Sequence, residues 1–334
     1  MRIPAPHCCF GALLLLLAIP VCDAADSPIS AATQELSWRM VGPFRGGRTR
    51  AVAGIPGRPD RFLIGAVNGG VWQTDDYGRT WVPIFDAEPT QSIGAIAVAP
   101  SDPKVIYVGS GEGLRRPDLS VGNGIYRSAD GGKTWVHLGL DDAQQIPDLA
   151  VDPKDPNRLF AAVLGHPYGP SAGRGIYRSV DGGRTWTAVL QRDENTGGFG
   201  VKIDPNDANV VYATLWNTRS GPWEDNNVYS GTAGGLYKST DGGEHWRPLR
   251  NGLPENLSQI EIAVAPSKPG RLYATVATTT PGDYSSAVGL GIYRSEDGGE
   301  NWTRATMDPR PALRIGGGDL ARSEEHTSEL QSRP

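Results

Sequence analysis

Apolar residues in this chain come in short bursts, and polar, glycine-rich punctuation separates them. Four bursts end the same way: Ile96-Ala-Val-Ala-Pro100, Leu149-Ala-Val-Asp-Pro153, Val201-Lys-Ile-Asp-Pro205 and Ile262-Ala-Val-Ala-Pro266. Each is followed within a few residues by a second burst, such as Val105-Ile-Tyr-Val108 or Leu272-Tyr-Ala-Thr-Val276. No stretch sustains the 3.6-residue apolar period of a helix, which excludes α-helical solenoids. Runs of this length bounded by turn residues read as strands.

A second element keeps step with the first. It runs Thr74-Asp-Asp76-Tyr-Gly-Arg-Thr-Trp81, Ser128-Ala-Asp130-Gly-Gly-Lys-Thr-Trp135 and Ser179-Val-Asp181-Gly-Gly-Arg-Thr-Trp186. Two more copies are Ser239-Thr-Asp241-Gly-Gly-Glu-His-Trp246 and Ser295-Glu-Asp297-Gly-Gly-Glu-Asn-Trp302. The tryptophans are 54, 51, 60 and 56 residues apart. A period of this size signals one supersecondary unit per repeat. One unit reads as strand one over Ile96–Ala99, a turn over Pro100–Lys104 and strand two over Val105–Gly109. After a variable loop come strand three over Gly124–Ser128 and strand four over Thr134–His137. Four antiparallel strands in about 50 residues make one blade of a β-propeller. The expectation is an all-β propeller with five four-stranded blades present, forming an incomplete ring.

The recurring turn has a physical reading. An aspartate at this position can fold its carboxylate back onto local backbone N–H groups. The glycines that follow permit the positive φ of a tight hairpin. The tryptophan is large enough to fill the gap between neighbouring sheets. This Ser/Thr-x-Asp-x-Gly-x-x-Trp pattern resembles the Asp-box, or bacterial neuraminidase repeat, in all five copies. The resemblance implies that Asp76, Asp130, Asp181, Asp241 and Asp297, with Trp81, Trp135, Trp186, Trp246 and Trp302, are structural.

Composition narrows the class. Of 334 residues, 44 are glycine and 27 proline, too many for long helices. Nine tryptophans and eleven tyrosines argue for a packed core. A net charge of −5 offers no footprint for nucleic acid or an anionic membrane. The leader carries Arg2 and an apolar run from Phe10 to Ile19, followed by small residues at Ala24 and Ala25. It reads as a signal peptide over residues 1–24, too short to span a bilayer, so the chain is expected to be exported with no membrane span in its mature part. Cys8, Cys9 and Cys22 all lie in the leader, which leaves the mature chain without disulfides or thiolate metal sites. No metal or other cofactor is expected.

The C-terminus breaks the pattern. Arg322-Ser-Glu-Glu-His-Thr-Ser-Glu-Leu-Gln-Ser-Arg-Pro334 stands where a sixth repeat should begin. The string looks like a translated sequencing-library adapter. The expected layout is a linker over 25–37, the propeller over 38–311, a junction over 312–321 and an artefactual tail over 322–334. The authentic part then reads as a fragment of a longer protein.

Chemistry is expected at the loops between strands two and three, on the face opposite the Asp-boxes. They are Ser110–Asn123, Gly165–Arg174, Trp216–Gly235 and Thr278–Gly289. Arg115, Arg116, His166, Tyr168, Trp216, Arg219, Trp223, Tyr229 and Tyr284 offer rings and charges suited to a sugar or a peptide. Glu112, Asp118, Glu224 and Asp225 are the carboxylates a glycoside hydrolase would need, but no spacing pairs them. Gly109-Ser-Gly-Glu-Gly113 lacks the following helix of a phosphate loop. The Asp-Pro turns at Asp152 and Asp204 lack the calcium-loop glycine and glutamate.

The stretches Gly42-Pro-Phe-Arg-Gly-Gly-Arg48, Tyr107-Val-Gly-Ser-Gly-Glu112, Leu164-Gly-His-Pro-Tyr-Gly-Pro170 and Asn251-Gly-Leu-Pro-Glu255 resemble large exported bacterial propellers. Members of that group are described as glycosyl-hydrolase-like or as carrying a sortilin-type N-terminal propeller. The resemblance implies a longer parent protein, and fold alone does not fix function. Xyloglucanase-like propellers carry a catalytic aspartate before a Gly-Gly pair in the first blade, whereas this chain has Ala66-Val-Asn-Gly-Gly70. Gly42-Pro-Phe-Arg45 is not the sialidase arginine motif. Two readings remain ahead of an assembly-factor-like scaffold. One is a noncatalytic, sortilin-like module that binds peptide or glycan through its loop face. The other is the N-terminal part of a glycoside hydrolase whose site is completed by missing sequence.

Overall fold

The computed structural model describes residues 48–114, 119–219, 229–230, 233–280 and 283–308, all within one compact unit, Gly46–Pro334. The leader, the linker, residues 38–47 and 309–311 at the ends of the expected propeller, the junction and the tail lie outside the described residues.

Five antiparallel sheets follow one another in chain order. The first holds β1 (Thr49–Ile55), β2 (Arg58–Ala66), β3 (Gly70–Thr74) and β4 (Val82–Pro83). The second holds β5 (Ile93–Val98), β6 (Ile106–Ser110), β7 (Ile125–Ser128) and β8 (Val136–His137). The third holds β9 (Asp148–Val151), β10 (Leu159–Val163), β11 (Gly175–Ser179) and β12 (Thr187–Leu190). In the fourth, β13 (Thr196–Ile203) and β14 (Val211–Arg219) precede a short β15 (Tyr229–Ser230), which pairs with the end of β14. β16 (Gly235–Ser239) and β17 (Arg247–Leu249) complete that sheet. The fifth holds β18 (Leu257–Val264), β19 (Leu272–Thr280), β20 (Asp283–Ser295) and β21 (Thr303–Arg304). Each sheet is one blade of a β-propeller, as the repeat predicted.

The core is a series of seams between successive blades. β10 shows why its strand type reads as a continuous apolar run. Leu159, Ala161 and Val163 join Tyr107, Ile125 and Ile146 in the seam with blade two. Phe160 and Ala162 point the other way, to Val201, Val211 and Ala213 in blade four. Alternation across the strand thus feeds two cores at once. The seam between blades four and five repeats this with Tyr212, Leu236, Ile260 and Leu272.

The repeated turn fixes the opposite end of each blade. Ser128 Oγ donates to Asp130 Oδ1 at 2.8 Å and accepts from Gly132 N at 2.8 Å. Asp130 in turn accepts from Lys133 N, Thr134 N and Thr134 Oγ1 at 3.0, 2.9 and 2.6 Å. The two glycines take φ of +77° and +90°, a region closed to most side chains. Serine-to-aspartate bonds of 2.8 Å recur at Asp181, Asp241 and Asp297, and Thr74 makes the same bond to Asp76. Trp135 donates its indole N–H to Ile84 O of the preceding blade at 2.7 Å, and Trp186 does the same to Leu138 O at 3.1 Å. Trp81, Trp246 and Trp302 instead turn theirs back to Gly78, Gly243 and Gly299 of their own turns.

Several boundaries differ from expectation. Strand one of blade two begins at Ile93, three residues before the expected Ile96. Strand four is confined to Val136–His137, because Thr134 spends its amide and hydroxyl on Asp130. Two of the expected loops contain strand among their described residues. β14 continues to Arg219, with Trp216 turned into the core, and β19 and β20 pair from Leu272↔Ser295 to Thr280↔Asp283, with register shifts at Val276/Ala277 and Thr278/Thr280.

Candidate functional site

The connections from strand two to strand three leave every blade at the end away from the Asp-boxes. The chain joining one blade to the next reaches that same end. The face they build is where the structure brings the sequence candidates together, in part.

Blades two and three lean on each other here. Tyr168 Oη accepts the Leu119 amide at 3.0 Å, a bond between the two blades' loops, and its ring stays 40% exposed. His166 Nε2 lies 2.7 Å from Asp142 Oδ1, on a 3-10 turn over Asp141–Ala143. Trp216 is not on the surface. It is 2% exposed and packs edge-on against Phe199 with ring centroids 5.2 Å apart, next to Leu164. A large ring beside a strand end costs less buried than solvated, which explains its place in the core rather than in a loop. Arg219 closes β14, with Tyr229 opposite it on β15, and Tyr284 falls on β20. Arg115, Arg116, Asp118, Trp223, Glu224 and Asp225, with the side chains of Tyr229 and Tyr284, lie outside the described residues.

Glu112 is the one described carboxylate of the four hydrolase candidates. Its side chain is fully buried, accepts Arg48 Nη2 at 3.0 Å and accepts the Ser120 amide at 3.1 Å. It is occupied in holding the blade-two loop to the start of β1. The Asp-box carboxylates sit at the far end, each engaged by its own turn. Asp76, Asp181 and Asp297 are held at about 2, chiefly by the residue four positions on, through its amide or side chain.

Three features were missed in the sequence. Arg174, only 1% exposed, donates Nη1 to Leu164 O at 2.5 Å and Nη2 to His166 O and Gly169 O at 2.6 and 3.2 Å. It holds the blade-three loop in shape from inside. Burial, and then the charge of Arg219, push its guanidinium down to about 10, so it stays charged at neutral pH. A small cavity of about 10 Å³ lies beside it, lined by Gln145, Leu164, His166, Thr218 and Arg219 among others. The arginine before strand three occurs in one repeat alone, so the periodic reading gave it no weight.

The second is a cavity of about 700 Å³ at the junction of blades four and five. Its wall comes from the start of β16, the end of β17 and the start of β18, so it opens on this same face. Leu236, Leu249 and Leu253 supply an apolar side, while Arg192, Arg250 and Glu255 supply charge. Arg192 Nη1 donates to Tyr237 Oη at 2.9 Å. The reason for the gap is visible in the repeat. A Cβ on Gly124 or Gly175 would strike the carbonyl of Gly139 or Leu190, where the end of strand four or the chain just after it covers strand three. One on Gly235 would meet nothing nearer than 3.4 Å. In blade four the chain peels away after Leu249.

The third lies on the inner strands. Lys202 on β13 reaches Asp148 on β9 at 2.5 Å, and Arg50 on β1 lies 5.9 Å from the ring centre of Phe199. Among the described residues no three His, Cys, Asp or Glu side chains group as a metal site.

A family model for sortilin (neurotensin receptor 3) of the Sortilin-Vps10 type matches residues 69–220. The xyloglucanase Xgh74A of Acetivibrio thermocellus is 29% identical over 63% of this chain and 26% of its own length. Sortilin of Mus musculus is 22% identical over 82% of this chain and 38% of its own. The chain is a sortilin-like, glycosyl-hydrolase-like propeller. Its fold matches that of an ancestral GH74 enzyme, with a TM-score of 0.59 at 22% identity over 80% of this chain and 32% of the enzyme. The GH74 xyloglucanase of Xanthomonas campestris gives 0.57 at 20% identity, over 78% of this chain and 38% of its own. This sortilin-like propeller spans about a quarter of the xyloglucanases it matches. Among its described residues no helix is long and apolar enough to cross a membrane.

Proposed function

We propose that this chain is an exported propeller module that binds a peptide or a glycan on its loop face and does not itself turn the ligand over. The observation that carries the reading is the cavity of about 700 Å³ on that face, within the size range of ligand sites and lined by both apolar and charged side chains. Export rests on the leader and on the likeness to sortilin and to the xyloglucanases. Absence of turnover rests on Glu112, which is buried against Arg48 and out of a ligand's reach.

Calorimetric titration with xyloglucan oligosaccharides and with an unrelated peptide library tests the reading. Binding without release of reducing ends, weakened by Arg192→Ala or Arg250→Ala, is the expected result. No binding in either series, or binding untouched by both substitutions, overturns it.

The likeness to the xyloglucanases favours a second reading, the N-terminal part of a glycoside hydrolase. The carboxylate pair would then come from elsewhere in a longer protein, and the loop face would hold part of the polysaccharide. Reducing-end release by the longer protein, together with binding by this chain, distinguishes the two.

A further inference from the structure

We infer that the small cavity beside Arg174 is a site for one monovalent anion, with chloride as its natural occupant. This inference does not depend on which ligand the loop face holds. The cavity joins three blades, since its lining comes from Leu114 of the blade-two loop, from the blade-three loop with Gln145 on the chain entering that blade, and from the end of β14.

Its chemistry is one-sided. Gln145 is 1% exposed and its Nε2 has no hydrogen-bond acceptor; Arg174 is equally buried and its Nε has none either. Among the described residues Arg174 forms no ion pair within 4 Å, Asp193 acting on it only from farther off, and the carbonyls of Leu164, His166 and Gly169 that it reaches are already used by its two terminal nitrogens. Arg219 adds a second guanidinium to the lining. A buried cation with no carboxylate in contact and a buried amide without an acceptor are each costly, and one anion between them relieves both. A water could accept from the donors but would leave the guanidinium without an anion in contact.

Size selects among anions. A volume of about 10 Å³ is close to the minimum for a single water-sized particle. A halide requires only slight widening, whereas sulfate, phosphate or a sugar carboxylate is too large to enter whole. The site therefore fits a monatomic ion that fastens the blade-three loop between its neighbours.

The test compares thermal unfolding of the full chain in sodium chloride and in sodium gluconate at equal ionic strength. A site that binds only the folded state predicts a saturable rise of about 2–4 °C in chloride. Gln145→Met, close in volume and without the donor, should abolish the chloride-dependent part. Independently of any variant, crystals soaked in sodium bromide should show an anomalous peak within bonding distance of Gln145 Nε2. Unfolding that is indifferent to the anion, or a bromide-soaked crystal with no anomalous peak there, overturns the inference.

Discussion

Arg178 of blade three donates Nη1 to the carbonyl of Gly242 at 3.0 Å, inside the Asp-box turn of blade four. Arg158, on the turn before β10, reaches the same carbonyl at 3.2 Å. Lys238 repeats the contact one blade on, donating to Gly298 O at 2.8 Å. A cation on strand three thus reaches the turn of the next blade at both of these boundaries. The turns order their own hairpins, and through these carbonyls they also fasten neighbouring sheets.

Replacing Arg178 by methionine keeps the buried stem and removes the donors. The expected loss is about 1 kcal/mol in urea-induced unfolding, from one charge-assisted hydrogen bond to a carbonyl that keeps only Arg158 at 3.2 Å. Glu244, which also pairs with Arg178 at 2.6 Å, is more than half exposed, so Glu244→Gln should shift stability by less than about 0.5 kcal/mol. Equal losses from the two variants would show that the ion pair, and not the carbonyl contact, joins the blades.

The Asp-box carboxylates make the fold sensitive to acid. Asp76, Asp181 and Asp297 lie at about 2 in the folded chain against an ordinary 3.8, and Asp130 and Asp241 are lowered further. A carboxyl group depressed by folding stabilises the native state above its unfolded value. That contribution disappears as pH falls from about 4 to about 2. Urea midpoints measured from pH 5 to pH 2 should therefore fall steeply over this window. Asp130→Asn should lower the midpoint at pH 5 and flatten the slope below pH 4. A slope unchanged by that substitution would sink the assignment.

A contrast between two glycines tests how tightly blades four and five meet. Gly131 has φ of +77° and no atom within 4 Å of where a Cβ would stand. Gly131→Ala should cost only the backbone strain, about 1–2 kcal/mol. Gly252 has φ of +81°, and its Cβ would fall 2.0 Å from the carbonyl oxygen of Trp302. Asn251 O also accepts the Trp302 amide at 3.0 Å, so the two segments cannot part without losing that bond. Gly252→Ala should cost about 3 kcal/mol or more, since overpacking is added to the strain. Chemical denaturation of both variants reads the difference directly.

The blades were legible because each repeat states its own strands and turn, so five copies corrected one another. What varied between copies was not legible. Trp216 sits where the periodic reading expects a loop, but Phe199 and Leu164 offer it a buried seat that only the packed neighbours reveal. Arg174 occurs in one repeat, and its three carbonyl partners become near neighbours only when the loop closes around it. The large cavity lies where the chain leaves strand three after Leu249, which no residue type announces. Arg127, Arg178, Lys238 and Arg294 do hold one position in four repeats, directly before the Asp-box serine. The cross-blade contacts of Arg178 and Lys238 could therefore have been anticipated.

Glu112 gives the sharpest test of whether the loop face is a binding surface or part of an enzyme. Its side chain is fully buried and Arg48, its partner at 3.0 Å, is a quarter exposed. A general acid or base must reach the atom it protonates, and a carboxylate committed to a buried ion pair and to the Ser120 amide does not. Glu112→Gln keeps the shape and removes the charge, leaving Arg48 without its counter-ion. The expected loss is about 1–3 kcal/mol, below that for a fully buried pair because water reaches Arg48. Affinity for any ligand of the face should change less than about twofold when measured well below the unfolding temperature, because Glu112 is not among the residues that line either cavity. If instead a longer protein hydrolyses its ligand and Glu112→Gln abolishes that turnover with stability intact, Glu112 is a catalytic group and the buried pair must open during the reaction.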